Sequence, residues 1–369
     1  MISRLKRLTI GFLVIINILV AAAMLLVGFS DYVNPTSFPI ISCVGLLFPF
    51  FILANLLFIV FWIIFSWRRA VISILGLIVS YVPIRIYAPI NIPKDVPIGS
   101  IKVMSYNVES YSGGMKGQDR DAATDSIIRY IGRSQPDILC VQEDYVGSRK
   151  YIHERLDSLF AYSIHIKYET DKGNGQAVYS RFPILRSERI EYESAGNASM
   201  ACYIDINGKE VMLINNHLES NHFSPDDKQR YKDMLKDGLN GGIEKDTVRK
   251  ESRLIIDKLS EAAAIRAPQA DAVHEYIKNH KEWPAIVCGD FNDNPISYSR
   301  RVIAKGLTDC YVATGLGLGL SYNQKGYFVR IDNIMCSSHF TPSLCKVDKT
   351  IGASDHFPIV CWLKFAYKP

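Results

Sequence analysis

Six short stretches of this 369-residue chain bring together groups that can bind a cation or move a proton. "SYNVES" ends an apolar run with Asn107 and Glu109, and "DILCVQED" ends one with Gln142, Glu143 and Asp144. "LINNHLES" presents Asn215, Asn216, His217 and Glu219, and "CGDFNDNP" presents Asp290 and Asn292. "RIDNIM" sets Asp332 between apolar neighbours, and "SDHFPIV" opens a run with Asp355 and His356. Taken singly, each has an ordinary structural explanation, since Asp, Asn, Gly and Pro are the usual turn residues. Taken together, carboxylates and amides suit a hard divalent cation such as Mg²⁺ or Mn²⁺. Two histidines beside carboxylates add acid–base capacity near neutral pH. The chemistry that fits is metal-assisted attack of water on phosphorus. No CxxC pair is present, which disfavours a thiolate zinc site.

The elements that must position these groups are short and strand-like. "IKVMSYNV", "DILCVQE", "GQAVYSRFPI", "ACYIDI", "KEVMLINNHL", "AIVCGDFN", "RIDNIMCS" and "HFPIVCWLKF" are rich in Val, Ile, Tyr and Phe. Asn207-Gly208 predicts a hairpin turn inside an antiparallel meander. Ile127, Ile128 and Ile131 mark a helix within residues 120–135 that Pro136 ends. Residues 222–280 differ, being charged and helical in period, with Leu254, Ile255, Leu259, Ala262 and Ile265 on one face. Pro268 is expected to kink or divide this insertion, and Gly241-Gly242 offers it a joint. It reads either as a solvated excursion packed on the core or as a substrate lid. The soluble part is therefore α+β or an α/β sandwich.

Residues 1–90 read as a membrane anchor of about three helices, followed by a Pro-containing linker at 91–100 and a catalytic region at 101–369. No residue between Arg7 and Asp31, or from Tyr32 to Trp67, is charged, and both runs are long enough to cross a bilayer. "AVISILGLIVSYVPI" is a shorter third candidate, extended if Arg85 snorkels. Arg4, Lys6 and Arg7 precede the first run, and Arg68 and Arg69 follow the second, so both flanks belong in the cytoplasm. With three spans everything after about Asn91 is extracytoplasmic; with two the orientation inverts. Residues 1–99 hold seven cations and two acids, which accounts for the whole net charge of +5 and leaves residues 100–369 at zero. A domain that holds nucleic acid by charge carries a basic surplus, which this one lacks. Cys140, Cys202, Cys288 and Cys361 lie in apolar runs, as buried small side chains do; a disulfide among Cys310, Cys336 and Cys345 is the alternative use of thiols outside the cytoplasm.

The ordered set "YNV", "QE", "NHL", "GDFN", "RIDNI" and "SDHFP" resembles the endonuclease/exonuclease/phosphatase superfamily over roughly residues 100–367. The resemblance implies a deoxyribonuclease I-like fold, a four-layer sandwich of two mostly antiparallel sheets with the site at the sheet ends. It implies Glu143 as principal metal ligand, with Asn107 beside it and Asp355 in support. It gives Asp290 and His356 a shared part in activating water, His356 being oriented by Asp332. His217 would bind a phosphoryl oxygen or protonate the leaving group, and Asn292 would help hold the phosphate. Glu109 occupies a position where family members vary. The chain lacks the Trp-Asn start and following Gly/Arg pattern of the abasic-site endonuclease branch, which argues against DNA repair. The expected function is thus a membrane-anchored, metal-dependent phosphohydrolase of the phosphodiesterase or nuclease type. Its partners are the bilayer and a phosphate ester, either nucleic acid or a phospholipid headgroup as in the sphingomyelinase branch; no protein partner is read. A catalytically inactive binding module is the reading from another class, and the intact set of groups weighs against it.

Overall fold

The central strands are buried on both faces, one against the opposite sheet and one against helices, so that two sheets share one interior. The computed structural model describes residues 2–366 apart from 113, 115–117, 148, 168–174, 195, 225, 231, 234–244 and 325–326; the expected Gly241-Gly242 joint lies outside these. The strands are β1 (Ile101–Asn107), β2 (Ile138–Gln142), β3 (Tyr162–Lys167), β4 (Gly175–Ser180), β5 (Ile184–Ile190), β6 (Ala198–Ile206), β7 (Lys209–His217), β8 (Ala285–Asp290), β9 (Thr308–Asp309), β10 (Asp332–Cys336), β11 (Phe340–Val347) and β12 (Ile359–Phe365). They form two six-stranded sheets, ordered β11-β12-β1-β2-β4-β3 and β5-β6-β7-β8-β10-β9. The period of two decides the layers: Val103, Ile138 and Cys140 face the second sheet, while Met104, Leu139 and Val141 face outward onto helices. All pairings are antiparallel except β1–β2 and β7–β8. The expected meander is β5–β6–β7, turned at Asn207 and Gly208, both at positive φ.

The helices are α1 (Ile2–Gly28), α2 (Ile41–Val44), α3 (Phe48–Ser66), α4 (Val71–Val79), α5 (Tyr81–Tyr87), α6 (Gln118–Ser134), α7 (Tyr151–Asp157), α8 (Lys245–Asn279), α9 (Tyr298–Ile303) and α10 (Cys310–Thr314). α6 and α7 cover the first sheet, and α8 and α9 the second, so helix–sheet–sheet–helix layers result. α8 runs unbroken through Pro268, so the expected division does not occur. Its C-terminal half packs through Ala263, Ala267, Ala270 and Val273, small residues that admit a close approach, while Ile265 is 43% exposed rather than on the buried face. The seven cysteines after residue 100 are buried in the inter-sheet core and all are free. Cys310 and Cys336 lie 3.7 Å apart at sulfur, a thiol contact where a disulfide was one expectation.

Two of the helical runs, Arg7–Tyr32 and Ile41–Val79, are long and apolar enough to cross a membrane. The third expected span is divided into α4 and α5 at Ser80. Pro83 explains the break, because it has no N–H to offer the Val79 carbonyl one turn earlier. α1, α3 and α4 pack together, joined by a polar chain in which Trp62 Nε1 donates to Asn17 Oδ1 (2.8 Å) and Asn17 Nδ2 donates to Ser73 Oγ (2.6 Å). Both connections at one end of this bundle rest on the two-sheet sandwich and its loops. Arg301 Nε donates to the Asp31 carbonyl (2.9 Å), and Arg330 Nη2 donates to the Ile86 carbonyl (2.7 Å).

Candidate active site

Strand direction and register bring the six sequence stretches to one edge of both sheets. β1 and β2 are parallel with Asn107 opposite Gln142, so Asn107 and Glu143 emerge side by side. β7 and β8 are parallel with His217 opposite Asp290, and antiparallel β10 sets Asp332 opposite the same Asp290. His356 lies just before β12 and bridges to Tyr322. Below these ends, Gln142 Nε2 donates to Asn215 Oδ1 (2.6 Å), and Asn215 Nδ2 donates to the Val141 and Ala177 carbonyls (3.1 and 3.2 Å). This buried amide pair ties the two sheets beneath the site. The glycine of "GDFN" is required twice over: Gly289 has φ +131°, and a Cβ there would lie 2.0 Å from the Asn216 carbonyl oxygen.

The polar groups form one connected cluster. Asn107 Nδ2 donates to Glu143 Oε1 and Asp290 Oδ2, both at 3.1 Å, while Asn107 Oδ1 accepts from the Glu109 N–H (3.1 Å). His356 Nδ1 donates to Asp332 Oδ2 (3.0 Å), and its Nε2 is 3.6 Å from Asp290 Oδ2. His217 Nε2 is 3.8 Å from Glu143 Oε1 and 4.0 Å from Asp290 Oδ2. The Asp355 N–H donates to Glu109 Oε2 (3.0 Å), and Lys228 Nζ is 3.3 Å from Asp355 Oδ2. Asn292, at φ 52°, receives its place from two bonds: its N–H donates to Asp290 Oδ1 (2.8 Å) and its Nδ2 donates to the Leu218 carbonyl (2.9 Å). All eight residues to which the family resemblance gives a role, and Glu109 with them, therefore meet at one place.

The electrostatics sort these groups. Burial, and then neighbouring Asp355, pushes Glu109 up to about 7 and raises Glu143. Burial pushes Asp290 up to about 6. Burial works against the charged form of His356, but Asp332 and Asp290 outweigh it and raise its pKa well above the usual value. Burial lowers the pKa of His217, leaving it neutral. The oxygen-rich set of Glu109, Glu143, Asp290 and Asp355, each a carboxylate crowded by others, fits a hard divalent cation that would relieve the repulsion. Asp290, Asp332 and His356 also bring ligand atoms within 4.8 Å of one another.

Two parts of the site had no readable signal in the sequence. Lys228 belongs to the 222–280 insertion, and Tyr322, whose ring lies 5.6 Å from its Nζ, belongs to a loop; both line the cleft beside His356. A second cluster unites Asp144, next to Glu143, with His153 of α7 and His165 of β3, at 3.1 and 2.9 Å. Tyr111 also donates to Asp144 (2.6 Å). No motif spacing links these residues, and only the packing of α7 against β3 and the β2 end assembles them.

Known proteins with this architecture can now be set beside it. The Endonuclease/Exonuclease/phosphatase family profile matches residues 104–356, and a domain of unknown function (DUF8431) matches residues 10–87. No curated protein matches the chain. Among solved structures, the human Nocturnin catalytic domain with bound sulfate is similar at 16% identity and TM-score 0.52, covering 74% of this chain and 97% of that one. An endonuclease/exonuclease/phosphatase from Beutenbergia cavernae DSM 12333 is similar at 16% identity and TM-score 0.51, covering 72% of each chain. TDP2 from C. elegans is similar at 18% identity and TM-score 0.50, covering 74% of this chain and 77% of that one. At such identities the likeness is one of fold, the two-sheet sandwich. The family profile covers more than half of the chain, including every strand end that carries the cluster, and the chain belongs to the Endonuclease/Exonuclease/phosphatase family, the divalent-metal hydrolases of phosphoric ester bonds.

Proposed function

We propose that the chain is a membrane-anchored phosphohydrolase that uses Mg²⁺ or Mn²⁺ and works on the extracytoplasmic side. The observation that carries the catalytic reading is the junction of Asp332, His356 and Asp290 with Asn107 and Glu143 at one edge of both sheets. Glu143, with Asp355 and Asn107 beside it, would hold the cation. When bound, such a cation polarises a phosphoryl oxygen and lowers the charge that builds up around it. Asp290 is the base: its pKa of about 6 leaves it ionised at neutral pH yet more proton-seeking than an ordinary carboxylate. His356 keeps its proton through Asp332 and so faces the phosphate as a cationic donor. Neutral His217 supplies an N–H to a phosphoryl or leaving oxygen. Asn292 holds the Asp290 carboxylate through its N–H. The balance is that of hydrolysis: water oxygen bonds to phosphorus, the P–O bond to the alcohol breaks, and the alcohol leaves with one of the protons of water.

The membrane part of the reading rests on chain direction. The loop after α1 and the end of α5 both meet the catalytic region, so the Arg68–Arg69 turn falls at the opposite end of the bundle. We take α4 and α5 together as a third pass after α1 and α3; with the Arg68–Arg69 turn in the cytoplasm, this reading has the site outside. The test is turnover of bis-p-nitrophenyl phosphate and p-nitrophenyl phosphate by the full chain with Mg²⁺ or Mn²⁺. Loss with EDTA and a drop of at least about 100-fold in Glu143→Ala and His356→Ala are expected, as for removal of groups that act on the transition state. Turnover that survives all three overturns the assignment.

A further inference from the structure

One cleft, of about 520 Å³, joins the catalytic groups to the mouth of the helical bundle. Its polar end carries Glu143, Asp290, His356 and Lys228. Apolar side chains also line it: Leu46 and Leu47 just before α3, Phe50 in α3, Ile255 and Leu259 from α8, and Phe328. Phe50 and Phe328 are each 65% exposed, so the wall runs on into the outer surface where α3 begins its apolar run.

This placement is fixed by packing. Gly45 sits so close to the "GDFNDNP" loop that a Cβ would lie 2.5 Å from the Ile296 carbonyl oxygen and 2.6 Å from Asn294 Oδ1. Cys43 Sγ donates to the Ile256 carbonyl (3.8 Å), which brings α2 against α8. The bundle is therefore built into one side of the cleft, and the 222–280 insertion forms the other. A phosphate at the polar end then stands at the level where α3 enters hydrocarbon, the depth of a lipid headgroup.

On the basis of the phosphohydrolase reading above, we infer that the substrate is a lipid-borne phosphate ester drawn from the bilayer that holds the bundle. Its phosphate meets the carboxylate–histidine end, where Lys228 supplies a cation 3.3 Å from Asp355. The first carbons of its tail lie against Leu47, Phe50, Ile255 and Leu259. A polyanionic strand needs a cation-rich track, often with stacking rings. The two Lys and Arg side chains that line this cleft among the described residues are each paired with a carboxylate, Lys228 with Asp355 and Arg266 with Asp293, and residues 100–369 carry no net charge.

The test uses the full chain in nanodiscs with Mn²⁺. Hydrolysis of bis-p-nitrophenyl phosphate reports on the phosphohydrolase itself. Its inhibition by ethyl, butyl, octyl and dodecyl phosphate reports on the cleft. Potency is expected to rise about fourfold for each methylene that enters the apolar wall. Leu47→Asp/Phe50→Asp in the bundle and, separately, Leu259→Asp in α8 should each flatten that rise by about tenfold or more across the series. Partition of the longer alkyl phosphates into the disc is common to all chains and cancels in the comparison. Two variants on different elements guard against one failing to fold. Equal chain-length dependence in native and variant chains, or plasmid DNA competing better than dodecyl phosphate, overturns the inference while the phosphohydrolase stands. Absence of turnover in the native chain overturns the phosphohydrolase, and this inference with it.

Discussion

Asp332→Asn isolates one charge in the site without changing its shape. Asp332 is buried, and its carboxylate accepts from His356 Nδ1 at 3.0 Å. Asparagine can keep a neutral hydrogen bond there but cannot hold the imidazolium. A hydrogen bond to a charged group contributes about 1.5–3 kcal/mol. At 1.36 kcal/mol per decade that is about 1–2 pKa units on His356 and about 10- to 150-fold in kcat/KM. The assay is hydrolysis of bis-p-nitrophenyl phosphate with Mn²⁺ from pH 5 to 9, read as a bell-shaped profile. In the native chain the acidic limb reflects protonation of Asp290, whose pKa burial raises, and the basic limb reflects loss of the His356 proton. The substitution should bring the basic limb down by about 1–2 units. The acidic limb should fall less, because burial rather than Asp332 is the main cause of the raised Asp290 pKa. An unchanged thermal midpoint would show that the fold is intact. A variant with native kcat/KM and a native basic limb would refute the role given to the Asp332–His356 pair.

Two further outcomes concern the scaffold. Gly289→Ala should cost more than about 3 kcal/mol, since it combines a disallowed φ with a backbone clash, and should appear as a large drop in thermal midpoint. Asp309→Asn should destabilise by about 3–5 kcal/mol, because it leaves Arg300 buried without its charged partner. Burial alone would raise the Asp309 pKa, but Arg300 and Arg330 outweigh it and hold it below the usual range. Its contribution is therefore present above the unfolded carboxylate pKa of about 3.9 and is lost as pH falls through the depressed folded value. Thermal midpoints of the native and Asp309→Asn chains should thus converge in acid, and a constant gap down to pH 2 would contradict the pairing.

The sequence by itself determined the strands, their polar ends and the apolar helices. The apolar runs of β1 and β2, the Asn207-Gly208 turn and the uncharged run from Arg7 to Asp31 are local properties, and local chemistry is enough to read them. Asn107, Glu143, His217, Asp290, Asn292, Asp332, Asp355 and His356 were legible for the same reason, each standing beside the stop or the start of an apolar run. What the sequence could not decide was how distant segments meet. Lys228 and Tyr322 carry no motif and enter the site only because the insertion folds back over the last strand's approach. The Asp144–His153–His165 cluster needs three elements in contact, and Ile265 turns outward because alanines further along α8 set its packing face. Pro268 was a plausible break, yet sheet contacts hold the helix through it, whereas Pro83, with no such support, does divide the third apolar segment. Above all, the fastening of the bundle to the rim of the cleft depends on Gly45, Asp31, Arg301 and Arg330, residues far apart in sequence and unremarkable in type. Only their tertiary contacts set the catalytic groups beside the apolar bundle, because close packing between segments is a property of shape that no run of residues carries alone.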